Sequence, residues 1–171
     1  TGFDIERINP TIANRFSKHG APLHWPTMEG SIRKEDSSLS EFRFNENEIR
    51  YLSGDIFDES SWEKLAGEKF NLIFSDAFHS PDAIDFEYSM LRKYELIDKQ
   101  NFAYVFDDLG GHMTTKFLQI FWDMKKDFEL SDANAALNRY YGWIGVNEHQ
   151  HLIGVIQNCL QNKVISTHQA A

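Results

Sequence analysis

The sequence predicts an α/β domain built on a doubly wound, mostly parallel sheet, with helices on both faces and one antiparallel hairpin at its C-terminal end. Three observations predict it. Short apolar runs alternate with segments of helical spacing four times along the 171 residues, the pattern of strand-helix units in a parallel sheet. Two of those runs, FNLIFS at 70–75 and FAYVF at 102–106, are nearly continuous in apolar residues, as in strands covered on both faces. Near the end, residues 140–146 and 152–156 are β-like and are separated by the polar run 147–151, which reads as a hairpin and its turn.

Taken in order, residues 1–5 (TGFDI) read as the end of a strand carrying Asp4, followed by a turn at Asn9-Pro10 and an amphipathic helix over 11–19 closed by Gly20. Residues 21–47, with Pro22, Pro26, Gly30 and the polar run 34–40, show neither helical nor strand periodicity and read as a long excursion. EIRYLS at 48–53 is a strand stopped by Gly54-Asp55, and 59–65 has the spacing of a short helix before Gly67. The strand at 70–75 ends on Asp76. Ser80-Pro81-Asp82 then opens a helix running to about Ile97, with Pro81 suited to its first turn. The strand at 102–106 ends on Asp107 and Asp108, and residues 112–128 place Phe117, Leu118, Phe121, Trp122 and Met124 at helical spacing. The polar end of the chain reads as a tail, so one domain over 1–160 with a tail over 161–171 is expected.

Composition narrows the function. Apolar residues are 42% and aromatic residues 14% of the chain, which is the make-up of a folded domain. The net charge of 17 − 26 = −9 repels phosphate backbones and argues against a nucleic-acid partner. A small substrate fits better. Cys159 is the only cysteine, which excludes an internal disulfide and suits a reducing compartment. No apolar run approaches the ~20 residues that span a bilayer and no basic-then-apolar leader opens the sequence. A cytoplasmic protein without a membrane partner is expected, and a homo-oligomer stays open.

In open parallel sheets ligands bind beyond the carboxyl ends of the strands, and acids stand at those ends here. Asp4, with Glu6 as the neighbouring alternative, can accept hydrogen bonds from the vicinal hydroxyls of a ribose. Gly54-Asp55, followed by Ile56, places a carboxylate at the next strand end, where it can accept from an adenine amino group. Ser75 and Asp76 close the following strand, and His79 lies three residues beyond Asp76, a pairing suited to general-base work or metal binding. Adjacent carboxylates at Asp107 and Asp108 repel each other unless a cation, a donor or solvent offsets them, and Gly110-Gly111 lets the backbone approach a ligand closely.

The order of these pieces resembles class I S-adenosylmethionine-dependent methyltransferases over about residues 2–156. GFDIERINP looks like that family's second strand with its ribose-binding acid, and YLSGDIF like its third with the adenine-contacting acid. FNLIFSDAFHS, the helix containing Glu87, Met90 and Leu91, and FAYVFDDL are similar to the fourth strand, fourth helix and fifth strand. The D-x-x-H and D-D motifs most resemble the small-molecule O-methyltransferase branch, in which strand-end acids hold a divalent metal.

The resemblance implies a Rossmann-like fold and methyl transfer to a small acceptor, most readily at a hydroxyl oxygen. It implies S-adenosylmethionine bound by Asp4, Glu6, Gly54, Asp55, Ile56 and Ser75, Asp76 and His79 in the chemistry, and Mg²⁺ or another divalent cation on Asp76, Asp107 and Asp108. The family's glycine-rich turn, which wraps the methionine part of the cofactor, has no counterpart in these residues and is expected upstream of Thr1. Two other readings stay open: a nicotinamide-dependent oxidoreductase, which shares the sheet and the ribose acid, and a non-catalytic methyltransferase-like interaction domain.

Overall fold

The computed structural model describes residues 1–4, 38–44, 47–76, 78–144 and 147–158. It is a mixed α/β structure whose contacts gather into two compact units, one of residues 1–68 and 82–96, the other of residues 69–81 and 97–171. The helix expected over 11–19, Glu6, and the tail over 161–171 lie outside the described residues.

In the first unit, β1 (Gly2–Asp4), β2 (Ser38–Phe44) and β3 (Asn47–Ser53) form a sheet of order β1-β3-β2. β1 runs parallel to β3, with Asp4 opposite Ser53. β2 runs antiparallel to β3, from Ser38 opposite Ser53 to Phe44 opposite Asn47. The excursion expected over 21–47 is thereby corrected over 38–44 and at Asn47; residues 21–37 and 45–46 lie outside the described residues. SLSEFRF has no clean alternation, yet pairing along the whole of β3 satisfies its backbone groups, and that pairing is invisible to a local pattern.

Helix α1 (Glu59–Glu63) starts at the Asp58 cap, whose carboxylate accepts from the Ser60 N–H at 3.0 Å, leaving one fewer unpaired donor in the first turn. Its Trp62 is buried, donates to the Ile56 carbonyl at 2.8 Å, and meets the Phe3 ring edge-on at 4.9 Å. Helix α2 (Pro81–Lys93) begins with Pro81 in the first turn, where its missing N–H costs nothing. It stops short of Ile97. Glu95 adopts a left-handed backbone (φ 51°) and the Leu96 N–H donates to the Leu91 carbonyl, the C-terminal motif that satisfies carbonyls left over by the last turn.

The second unit holds a mixed sheet of order β4-β5-β7-β6, made by β4 (Leu72–Ser75), β5 (Phe102–Phe106), β6 (Ala135–Ile144) and β7 (Asn147–Asn158). β4 and β5 are parallel; β7 is antiparallel to both β5 and β6. The expected hairpin is present, with one correction. Residues 147–151 are not its turn but part of β7, paired from Asn147 opposite Ile144 to His151 opposite Tyr140. Polar residues suit a hairpin arm, because a ladder asks for backbone pairing and not for apolar side chains.

Helix α3 (His112–Asp127) covers one face of this sheet. Phe102, Tyr104 and Phe106 point to that face and are fully buried; Phe106 meets Phe117 at 5.2 Å and Phe102 meets Phe128 just past the helix at 5.2 Å. Gly154, opposite Phe106 in the ladder, is where Leu109 and Phe117 come down on β7. The expectation that residues 70–75 form a strand covered on both faces is corrected here. Ile73 and Ser75 pair with Tyr104 and Phe106 on the α3 face, whereas Leu72 and Phe74 point the other way, 66% and 59% exposed. A run of apolar residues sets strand propensity, but which faces are covered depends on what packs there, and β4 is an edge.

Candidate functional site

Parallel register decides which strand-end residues are neighbours. Ser75 lies opposite Phe106 and its carbonyl accepts the Asp107 N–H at 3.0 Å. Asp76 and Asp107 therefore leave the sheet side by side, at the carboxyl end of β4 and β5, where open parallel strands present their ligands.

Beyond β5 the chain turns sharply. The Asp107 carboxylate accepts the Asp108 N–H at 2.9 Å, the Gly110 N–H donates to the Asp108 carbonyl at 2.7 Å, and the Leu109 N–H donates to the Leu152 carbonyl on β7 at 2.8 Å. Asp108 has φ 50°. Glu95 and Glu129 share that left-handed region, but each stands just past a helix end, where it is usual. Asp108 stands past a strand, in an acidic turn that faces two imidazoles. Strain of that kind concentrates where a side chain must be aimed.

The Asp108 carboxylate lies between two imidazoles. One oxygen is 2.9 Å from His151 Nδ1, and the other is 3.8 Å from His79 Nε2. His79 Nε2 is in turn 3.1 Å from Asp76 Oδ1. Asp76, His79, Asp108 and His151 thus form one chain from the ends of β4 and β5 to the middle of β7, with Asp107 bonded to its neighbour's backbone. All are partly open to solvent, from 26% at His151 to 49% at His79, so water can reach them.

Asp107, Asp108 and His151 each offer a donor atom, and these atoms lie within 4.8 Å of one another. Bonds of about 2.1 Å to a small divalent ion place opposite donors about 4.2 Å apart. The three are close enough for their donor atoms to converge on one such ion. Asp76, expected as a ligand, reaches this group through His79.

In the first unit, Asp4 and Gly54 stand at the same end of adjacent parallel strands, since Asp4 lies opposite Ser53. Gly54 is buried and Asp55 and Ile56 are half-buried. The Asp55 carboxylate accepts the Phe57 N–H at 3.0 Å and its carbonyl the Asp58 N–H at 3.0 Å, so at least one carboxylate oxygen serves the turn. Glu6 lies outside the described residues. His151 is the residue that sequence reasoning missed. It sat in a polar run taken for a turn, and only the β5–β7 ladder, which pairs Phe106 with Gly154, carries it to the acids. No protein-family model matches the chain, and no curated protein or solved structure matches it.

Proposed function

We propose that the protein transfers a methyl group from S-adenosylmethionine to a hydroxyl oxygen of a small acceptor, on a Rossmann-like, doubly wound framework. The observation that carries this reading is the linked set Asp76–His79–Asp108, at 3.1 and 3.8 Å, on the carboxyl ends of two parallel strands. It supplies a base and acids where such sheets bind ligands.

Methyl transfer asks the protein mainly to align donor and acceptor and to dispose of the acceptor's proton. With Nε2–H donated to Asp76, His79 keeps its Nδ1 lone pair for the acceptor hydroxyl, and Asp76 steadies the imidazolium that results. The new bond joins the acceptor oxygen to the methyl carbon, and the carbon–sulfur bond breaks with its electron pair going to sulfur. The sulfonium of the bound donor makes the methyl electrophilic. A divalent cation held by Asp107 and Asp108, with Asp76 near, would lower the acceptor hydroxyl's pKa. Asp4 and Asp55 are the residues proposed to hold the ribose and adenine.

Calorimetric titration of the protein with S-adenosylhomocysteine and with NAD tests the reading. Binding of the former, weakened by about 1.5–3 kcal/mol in Asp4→Ala as for a charged hydrogen-bond partner, supports it. Binding of NAD alone assigns an oxidoreductase, and binding of neither by a full-length protein that has no glycine-rich turn assigns a non-catalytic domain.

A further inference from the structure

We infer that His151 is a nitrogen donor to the cation site at Asp107 and Asp108, and that it makes the site prefer first-row transition ions such as Mn²⁺ and Co²⁺ over Mg²⁺ and Ca²⁺. This rests on the cation reading above and extends it to a residue on β7, which neither the strand-end motifs nor the helix openings include.

The placement of His151 comes from the fold. Its backbone lies opposite Tyr140 in the β6–β7 ladder, and the next residue's carbonyl receives the Leu109 N–H at 2.8 Å. The acidic turn and the histidine are thus held against each other by the backbone as well as by their side chains. Its Nδ1 faces the Asp108 carboxylate at 2.9 Å and lies within 4.8 Å of the donors of both acids. A cation between them takes the place of the Nδ1 proton. The imidazole then bonds through Nδ1 and carries its one hydrogen on Nε2, a change of tautomer exchanged through solvent with no net proton released.

Donor chemistry sets the preference. Two carboxylates alone make an oxygen site, which suits hard ions. Imidazole is a borderline donor, and affinity for a nitrogen-containing set rises along the first transition row while Mg²⁺ gains little from it. The partial exposure of Asp108 and His151, 40% and 26%, leaves room for water in the remaining positions.

The test uses the full chain with Mn²⁺, Co²⁺ and Mg²⁺ as probes, following Mn²⁺ by electron paramagnetic resonance and Mg²⁺ by competition. The expected result is Mn²⁺ binding at least about tenfold tighter than Mg²⁺, with ¹⁴N coupling in the pulsed spectrum. His151→Ala should lose the coupling and about tenfold or more in Mn²⁺ affinity with little change for Mg²⁺. His151→Asp should remove most of the preference, since an all-oxygen set suits Mg²⁺ and Mn²⁺ alike, and far-UV circular dichroism checks that both variants fold. If Mn²⁺ binds and Asp107→Asn abolishes it, yet His151→Ala keeps the ¹⁴N coupling, His151 is not a donor while the cation reading stands. Loss of coupling in His79→Ala alone gives the nitrogen to His79 and overturns the inference. If no divalent ion binds the unaltered chain, the cation reading fails and the inference with it.

Discussion

His151 Nδ1 stands 2.9 Å from Asp108 Oδ1 although 43 residues separate them, and the Asp108 backbone meets it in a left-handed conformation, φ 50°. The side chain and the backbone of Asp108 can be tested apart. Asp108→Gly and Asp108→Ala lose the same carboxylate but differ in what φ 50° costs them. Urea unfolding should find the glycine variant more stable than the alanine variant by about 1 kcal/mol, with both inactive. Equal stability would show that the turn relaxes to an ordinary conformation.

Metal dependence follows from the proposed chemistry. Methyl transfer should fall when EDTA is added and recover with Mn²⁺ or Mg²⁺, and Asp107→Asn should be inactive under all three conditions. Full activity in EDTA together with an active Asp107→Asn variant would show that the acids hold no essential metal and leave His79 as the base to test.

Gly154 is required by space. A Cβ there would lie 2.6 Å from the Phe117 ring and also against Leu109, and both of those side chains are buried. Gly154→Ala should cost about 1–3 kcal/mol in urea unfolding, the range for overpacking a filled core. Because Leu109 follows Asp108 directly, the same variant should also weaken Mn²⁺ binding. A variant as stable as the parent would mean that α3 shifts without penalty.

Glu59 accepts from Lys93 and, at 3.2 Å, from the Tyr94 hydroxyl. The Lys93 hydrogen bond holds the Glu59 carboxyl below its usual 4.5. The same bond lifts Lys93 above 10.5, and desolvation followed by the Glu59 bond lifts Tyr94 above 10.0. A lowered carboxyl contributes stability above 4.5 that is lost as pH falls through its folded value. The raised Lys93 and Tyr94 contribute below their usual values and lose that as pH rises through theirs. Glu59→Gln should therefore flatten both the acid and the alkaline limb of a melting-temperature profile, modestly, since these groups are exposed. Unchanged limbs would show that solvent screens the cluster completely.

The open face of β4 calls for a solubility measurement. Leu72 and Phe74 point away from α3, well exposed on an edge strand, which invites pairing with other chains. Phe74→Lys should change unfolding free energy by no more than about 0.5 kcal/mol while lowering the association seen in sedimentation velocity. A large loss of stability would mean that Phe74 is covered in solution.

Much of this was legible locally. The apolar run 102–106 became β5, Pro81 opened α2, and Gly54 stopped β3, because each depends on chemistry within a few residues. The strand-end positions of Asp76, Asp107 and Asp108 followed directly. What stayed hidden depends on distant partners. β2 exists because β3 lies along it, Phe74 is exposed because it points to the face of β4 away from α3, and His151 reaches the acids through a ladder that pairs residues near 105 with residues near 155.

The sheet order also bears on how this unit assembles in time. β6 and β7 follow each other in the chain and can zip as a hairpin within microseconds, whereas β4 and β5 must close a longer stretch before they pair in parallel. His151 is set early by the hairpin, but it meets Asp108 only when β7 docks on β5. An ion that needs both would bind the finished sheet and not its precursors, stabilising it by about 2.7 kcal/mol at a hundred times its dissociation constant. Mn²⁺ added during refolding would then report the moment at which β7 docks on β5.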